Sequence, residues 1–170
     1  MNDEMQTEVD ILYMNRALEL AAMAAAEDEV PIGALIVRNG EIIAEGYNTR
    51  ETEKMATHHA EILAIERACR KLGGWRLPGC TLYVTLEPCP MCAGAVINSR
   101  IDRVVFGAYD RKAGAYGSLC DLTKLPFNHI PAVTGGVSEE ACREILSAYF
   151  RGKRERAAAS RLAEAPLFDA

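Results

Sequence analysis

Residues 81–99 have the sequence TLYVTLEPCPMCAGAVINS. The first part predicts a buried β-strand over Thr81–Leu86, because leucine and valine alternate there with threonine and tyrosine. The second part predicts a helix that begins near Pro90, since proline is favoured in the first turn of a helix. A strand that passes directly into a helix is typical of α/β proteins, and this junction carries two cysteines, Cys89 and Cys92.

The rest of the chain also alternates between strands and helices. Asn39-Gly40 is a strong hairpin signal between two strand-like segments. The predicted elements are a helix over 9–27, strands over 32–37 and 41–47, a helix over 58–72, strands over 103–107 and 132–134, and a last helix capped by Ser138 that continues into a basic segment. This order predicts an α/β fold in three α/β/α layers, with a central mixed five-stranded sheet.

The chain has 170 residues and shows no internal repeat, linker or low-complexity segment. We therefore expect one domain over residues 1–170, with a core over about 8–156 and a flexible tail over 157–170. No apolar run is long enough to span a membrane, and the acidic N-terminus does not resemble a secretory signal. A cytoplasmic location follows, and in its reducing conditions the cysteines are expected to stay unpaired.

The charge is unevenly distributed. The formal net charge is −5, but residues 1–30 hold eight acidic residues against Arg16 alone, a local charge of −7 that leaves +2 for the other 140 residues. Between residues 151 and 161, five basic residues are opposed only by Glu155: Arg151, Lys153, Arg154, Arg156 and Arg161. Phosphate contacts need such a basic stripe, but it also complements the dipole at a helix end, and charge alone favours the second explanation.

Two short motifs supply metal ligands. His59-Ala60-Glu61 offers an imidazole, while Cys89 and Cys92 offer two thiolates, and both ligand types suit Zn²⁺. Three protein ligands leave one tetrahedral position open for water, whose pKa the metal lowers towards neutrality. The sequence therefore predicts a zinc hydrolase with one Zn²⁺ per subunit.

The spacing of these ligands predicts where they lie. Cys89 and Cys92, three residues apart, share one face of a first helical turn, where the helix dipole stabilises thiolates. His59 and Glu61 can join them only off the tip of their own helix, so we expect two helix N-termini to face each other across the metal. Glu61 is the predicted catalytic residue, which would take a proton from water, pass it to a ring nitrogen of the substrate and help to protonate the leaving amine.

Each motif also has a less specific explanation. An isolated His-x-Glu is usually an ordinary helix start, and Cys-x-x-Cys occurs in redox and structural zinc sites. A redox role is disfavoured because no thioredoxin-like βαβ pattern lies nearby and His59 is available as a metal partner. A structural site needs a fourth ligand, for which the other histidines are His58 and His129.

Together, His59-Ala60-Glu61 and Pro88–Cys92 match the known signature of the zinc nucleobase deaminases. Longer stretches resemble the bacterial tRNA-specific adenosine deaminases of the zinc-dependent cytidine/deoxycytidylate deaminase superfamily. They are Val30–Ala34, Gly46–Asn48, Thr81–Pro88, Met91–Ala95, Arg103–Ala108, Gly114 and Gly117–Leu119. The resemblance covers about residues 10–155. It implies a cytidine-deaminase-like fold, a homodimer, and hydrolysis of adenosine to inosine at the wobble position of a tRNA, with the anticodon stem-loop as partner.

The resemblance also implies a set of substrate-binding residues. They are Asn48, which would hydrogen-bond the extruded nucleoside, Val30 and Pro31, which would line the base pocket, Ala60, Asp110 at the anticodon, and Phe150 and Arg151 near the RNA groove. Asn48 is equally explained as an asparagine that caps a turn, and Phe150 as a core residue. The sequence departs from the family pattern at His58, at Ile130 and over 157–170.

Two other functions share part of this pattern. A deaminase of a free nucleobase or nucleoside, such as guanine or cytosine, would have the same fold and metal site. A catalytically inactive subunit that binds zinc and serves as a scaffold would need the three metal ligands. Such a role does not explain why Glu61, which is not a ligand, lies beside the metal. Salt-dependent binding of an anticodon stem-loop would favour the tRNA interpretation over a free base.

Overall fold

In a computed structural model of the chain, the predicted strands form one sheet. The structure describes the backbone of residues 3–163 and the side chains of residues 7–161. The strands are β1 (Gly33–Arg38), β2 (Glu41–Tyr47), β3 (Cys80–Leu86), β4 (Arg103–Ala108) and β5 (Ala132–Thr134). Their order is β2-β1-β3-β4-β5; β1 is antiparallel to β2 and β3, and β4 is parallel to β3 and β5. The predicted mixed five-stranded sheet is confirmed.

The hairpin between β1 and β2 forms where the sequence predicts it. Asn39 and Gly40 have φ angles of 53° and 78°, the pair of positive values that a type I′ turn requires. This turn places β2 at the sheet edge and brings its last residue, Tyr47, opposite Gly33 at the start of β1. The chain therefore leaves β2 close to the segment that precedes β1, and both segments contribute to the site described below.

The described residues form five α-helices, and the longer ones pack on both faces of the sheet. They are α1 (Asp3–Ala26), α2 (Arg50–Glu53), α3 (Ala60–Leu72), α4 (Pro90–Ser99) and α5 (Glu139–Ala163). Leu35 and Val37 pack towards α1 and α5, whereas Ala34 and Ile36 pack towards α3 and α4. Because side chains alternate across a strand, both faces of β1 are buried, and the predicted α/β/α layering is confirmed.

One glycine sets the distance between α1 and the sheet. A Cβ atom at Gly33 would lie 2.1 Å from the carbonyl oxygen of Ala17 and 2.6 Å from the backbone nitrogen of Ala21. Both neighbours are backbone atoms of α1, so they cannot move aside as a flexible side chain would. The absence of a side chain at residue 33 is therefore what lets the helix pack this close to β1.

Some boundaries differ from the prediction. The helix α5 continues to Ala163, past residue 156, because alanines 157–159 have the highest helix propensity. The described part of the predicted tail is thus helical, and residues 164–170 lie outside the described residues. Ser138 precedes α5 but has a φ of 53°, unlike the extended backbone of a usual N-cap residue. Within residues 3–163, no helix is long and apolar enough to cross a membrane.

Candidate active site

Three side chains from the starts of two helices converge at one point. His59 immediately precedes α3 and Cys89 immediately precedes α4, both with extended backbone, while Cys92 lies in the first turn of α4. Nδ1 of His59 lies 3.8 Å from Sγ of Cys89 and 3.6 Å from Sγ of Cys92. The two helix N-termini face each other as the sequence predicts, and His59 is not in mid-helix.

The separations suit a zinc ion. The three possible ligand atoms all lie within 4.8 Å of one another. Tetrahedral zinc, with Zn–S bonds of about 2.3 Å and Zn–N bonds of about 2.0–2.1 Å, places nitrogen and sulfur roughly 3.6 Å apart. The observed distances match that value, and one imidazole with two sulfurs is a donor set that zinc favours over harder cations.

The other two histidines lie against groups outside this cluster. His58 Nδ1 lies 3.0 Å from the carboxylate of Glu53 in α2 but makes no hydrogen bond. His129 Nε2 lies 2.7 Å from the carbonyl oxygen of Ile101. Neither belongs to the group formed by His59, Cys89 and Cys92. A fourth protein ligand from these histidines, which a closed structural site would need, is therefore absent from the described part of the chain.

The two thiols share a hydrogen bond. The Cys92 thiol donates to Cys89, and this bond, together with that from His59, lowers the pKa of Cys89 to about 4 against the opposing effect of burial. The same contact and burial raise the pKa of Cys92. The hydrogen bond with Cys89 also raises the pKa of His59. The site therefore already favours one thiolate, and a coordinated cation would deprotonate the other.

Glu61 lies beside this group without belonging to it. It occupies the first turn of α3 and is 4% exposed. Its Oε2 atom is buried and has no hydrogen-bond partner, and burial raises the pKa of the carboxyl group. Buried polar atoms are rarely left unpaired, and an unpaired one calls for an explanation such as a catalytic role or a bound water or ion. The carboxylate is therefore available to a water molecule or a substrate.

A small cavity contains these groups. Its volume is about 130 Å³, and it is lined by Val30, Ile32, Asn48, Arg50, His59, Glu61, Leu86, Glu87, Cys89, Asp110 and Ala113. Val30, Asn48 and Asp110, which the family resemblance implies as substrate-binding residues, thus line the cavity. Five lining residues were not predicted: Ile32, Arg50, Leu86, Glu87 and Ala113. Each lies within three residues of a predicted site residue in the sequence, and that proximity is the signal that could have found them.

Asn48 makes a structural hydrogen bond and also lines the cavity. It is 3% exposed, and its Oδ1 accepts a hydrogen bond of 2.9 Å from the backbone N–H of Ala60. Asn48 therefore supports the start of α3 and still lines the cavity. Ala60 is fully buried, its N–H is used in this bond, and it lies outside the set of cavity-lining residues. Pro31 is also buried and lies outside the set of cavity-lining residues.

A basic groove adjoins the cavity. We use this name for two adjoining depressions that share Lys112 and Arg143. Their basic residues are Arg111, Lys112, Arg143, Arg151 and Arg154, their acidic residues are Asp110 and Glu139, and Phe150 lines one of them. An intervening depression of about 350 Å³ shares Val30, Leu86 and Asp110 with the cavity, and Lys112 and Phe150 with the groove. Phe150 is 43% exposed, so it is not a core residue, and the core explanation of Phe150 is wrong. Arg151 lies in the groove, as the resemblance implies.

Comparison with known proteins agrees with this site. Residues 9–154 match the family of MafB19-like deaminases. A tRNA-specific adenosine deaminase of Bacillus subtilis (strain 168) is 55% identical over 153 residues, which cover 89% of this chain and 95% of that protein. A structure from a study of A-to-I editing by tRNA:A34 deaminases at the wobble position of transfer RNA has a TM-score of 0.75 and 46% identity, covering 78% of this chain and 97% of that one. The guanine deaminase of Nitrosomonas europaea has a TM-score of 0.68 and 32% identity, covering 80% and 81%.

Proposed function

Because the chain belongs to the MafB19-like deaminase family, we propose that it hydrolyses adenosine to inosine at the wobble position of a tRNA anticodon and releases ammonia. One observation carries the proposal. The unpaired carboxylate oxygen of Glu61 lies beside three convergent metal-ligand residues, in a cavity that adjoins a basic groove. The 55% identity to the Bacillus subtilis enzyme supports the same assignment.

His59, Cys89 and Cys92 would hold one zinc ion. Their nitrogen–sulfur separations of 3.6 and 3.8 Å support this assignment. When bound, the ion supplies Lewis acidity that makes a water molecule nucleophilic near neutral pH. The charge of the ion would be balanced by two thiolates and a neutral imidazole, which reduces its Lewis acidity. Proton transfer by a neighbouring carboxylate is therefore more important for the reaction.

Glu61 would carry the protons of the reaction. It accepts a proton from the attacking water and delivers it to the ring nitrogen next to the carbon that bears the amino group. The water oxygen forms a bond to that carbon. Glu61 then takes the second proton of this oxygen and gives it to the amino nitrogen, so the bond from the carbon to this nitrogen breaks, a carbonyl group forms and ammonia leaves. Asn48, held by its bond to Ala60, would orient the nucleoside during these steps.

The groove fits an RNA loop better than a free base. Anticodon loops present unstacked bases, so extruding one base costs less than from a duplex. Phosphates on either side of that base need cations, which the basic groove supplies next to the cavity. The exposed ring of Phe150 is suited to stack on a neighbouring base. Asp110, which lines both the cavity and the adjoining depression, would contact the anticodon. A tRNA substrate also supports a cytoplasmic location.

Exposed apolar residues support a homodimer. Leu119, Leu125, Phe127 and Ile130, all in the connection between β4 and β5, are 42–59% exposed. Large apolar surfaces on soluble proteins usually mark an interface. Light scattering coupled to size-exclusion chromatography should give twice the mass of one chain, and a monomer at micromolar concentration would contradict this part of the proposal.

A second candidate function is the deamination of a free nucleobase. The similarity to the Nitrosomonas europaea guanine deaminase favours it, since a metal site and a catalytic carboxylate suffice for a small substrate. The basic groove has no use in such a reaction, and the identity to that enzyme is lower than the identity to the tRNA-specific relative.

One experiment separates the two functions. Zinc-loaded protein is incubated with an anticodon stem-loop that carries adenosine at the wobble position and, as matched control, with the same stem-loop carrying guanosine there. Guanine, cytosine and adenosine are tested as free substrates. We expect inosine, detected by sequencing, at the wobble position only, with an equal amount of ammonia and with rates that fall as salt rises. Ammonia from a free base alone would contradict the proposal.

A further inference from the structure

The carboxylate of Glu87 is buried beneath the loop of residues 109–118. Glu87 follows β3 and is 2% exposed. Its Oε1 atom accepts hydrogen bonds from the backbone N–H groups of Tyr116 (2.9 Å) and Ser118 (3.1 Å). Its Oε2 atom accepts one from the backbone N–H of Asp110 (3.1 Å) and one from the hydroxyl of Ser118. All four donors belong to this one loop.

The loop wraps closely around this carboxylate. A Cβ atom at Gly114 would lie 2.3–2.6 Å from the carboxyl atoms of Glu87, so the loop backbone passes directly over the charged group. The N–H of Gly114 donates to the carbonyl of Asp110 (2.8 Å), and the N–H of Ala115 donates to the carbonyl of Pro88 (2.9 Å). The shape of the loop and the burial of the carboxylate therefore depend on each other.

The same loop forms part of the substrate site. Asp110 and Ala113 line the catalytic cavity, and Lys112 lines the basic groove. Loops lose much conformational entropy when they are held in one shape, whereas hydrogen bonds to a buried charge are among the strongest in proteins. We propose that Glu87 is a positioning residue, whose carboxylate holds Asp110, Ala113 and Lys112 where the nucleotide and its neighbouring phosphate bind. The inference rests on the proposed function for the nature of this substrate.

The variant Glu87→Gln tests the charge with little change in size. The amide offers one acceptor oxygen instead of two. In the best orientation of the glutamine amide, its oxygen still accepts hydrogen bonds from the backbone N–H groups of Tyr116 and Ser118. Its NH₂ group then donates a hydrogen bond to the Ser118 hydroxyl. The N–H of Asp110 then faces another donor and loses its partner. We expect Asp110 and the adjoining residues to become mobile while the rest of the chain stays folded.

A second variant reaches the same loop independently. Gly114→Ala keeps the carboxylate but forces it apart from the loop, because the added methyl group has no space. Its φ is not positive, so alanine is compatible with the backbone there. Glu45→Gln is the matched control, since it makes the same chemical change at a carboxylate that binds Arg16 in another part of the sheet and lies outside the cavity.

Two measurements on zinc-loaded protein separate positioning from general stability. Hydrogen exchange should be about tenfold faster or more for the amide of residue 110 in both loop variants, and for the amides of residues 116 and 118 in Gly114→Ala, with unchanged rates in β3 and β4. The KM for the anticodon stem-loop should rise about tenfold, with a smaller change in kcat and with zinc content unaltered. Glu45→Gln should match the wild type in both measurements.

Three results would overturn the inference. One is loop exchange and KM unchanged in both variants. Another is faster loop exchange with unchanged KM, which would show that the loop does not position the substrate. The last is faster exchange throughout the chain with loss of zinc, which would indicate a general stabilising role. If the wild type does not edit the stem-loop, the proposed function fails, but the exchange data still decide whether Glu87 holds the loop.

Discussion

Replacing Glu61 with glutamine is the most direct test of the proposed chemistry. The side chain is 4% exposed and its Oε2 atom has no partner in the protein, so an amide of nearly equal size removes no hydrogen bond at that atom. Glu61 is not among the three ligand residues, and zinc content should stay at one ion per subunit. The variant should therefore be folded, loaded with metal and deficient only in proton transfer.

The expected loss follows from that single function. General acid–base catalysis contributes about 10²–10⁴ in rate, which corresponds to roughly 3–5 kcal/mol of transition-state stabilisation. Single-turnover formation of inosine on the anticodon stem-loop measures this step directly, with Glu45→Gln as the control for loss of a carboxylate elsewhere. A Glu61→Gln protein with full zinc content and a rate within about tenfold of the wild type would refute the assignment of Glu61.

Three further predictions concern stability. Asp10, 3% exposed, accepts hydrogen bonds of 2.7 and 2.8 Å from the Arg103 guanidinium and one of 2.8 Å from the Tyr83 hydroxyl; Asp10→Ala should cost about 3–5 kcal/mol in denaturant unfolding, and a cost below 1 kcal/mol would contradict this. Gly33→Ala should lower the free energy of unfolding by about 1–3 kcal/mol or more, because the added methyl group meets the backbone of α1. Gly74 is exposed and a methyl group there meets no other atom, so Gly74→Ala should lower it far less. The hydrogen bond from Arg16 lowers the pKa of Glu45 in the folded protein. The stability that this pair contributes is therefore complete when the pH is above the pKa of Glu45 in the unfolded chain. It is lost as the pH falls through the lower pKa of the folded protein. Since the Glu45 side chain is 32% exposed, Glu45→Gln should lower stability at pH 7 by less than about 1 kcal/mol, and the gap to the wild type should close in thermal unfolding below about pH 4.

Several parts of the fold could be predicted because the information is local. Asn39-Gly40 specifies a type I′ turn through two positive φ angles that few other residue pairs adopt. Pro90 marks the first turn of α4 for a similar reason. The N-termini of α3 and α4, at His59 and Cys89, then bring the three possible metal ligands together. The spacing of the two motifs was enough to predict this arrangement.

Other features depend on residues far apart in the chain. Nothing in the neighbourhood of Glu87 indicates that its carboxylate binds a loop 23–31 residues later. The short helix α2 ends at Lys54, which has a φ of 56°, and no residue there is typical of a left-handed position. The helix α5 extends into the segment after residue 156, which was predicted to be a flexible tail. The alanines of this segment have a high helix propensity, and that property predicts the longer helix.

The motifs of this chain were sufficient to specify the type of fold, the residues that could hold a metal and the class of reaction, since each depends on residue types at short, fixed spacings. The folded structure was needed to show that Asn48 bonds to the start of α3 while lining the cavity, and that Ala60 is buried outside the cavity-lining set. It was also needed to show that the buried carboxylate of Glu87 accepts hydrogen bonds from the loop of residues 109–118. Hydrogen bonds between distant segments leave no periodic trace in a sequence, because their geometry exists only after the sheet and its helices have packed together.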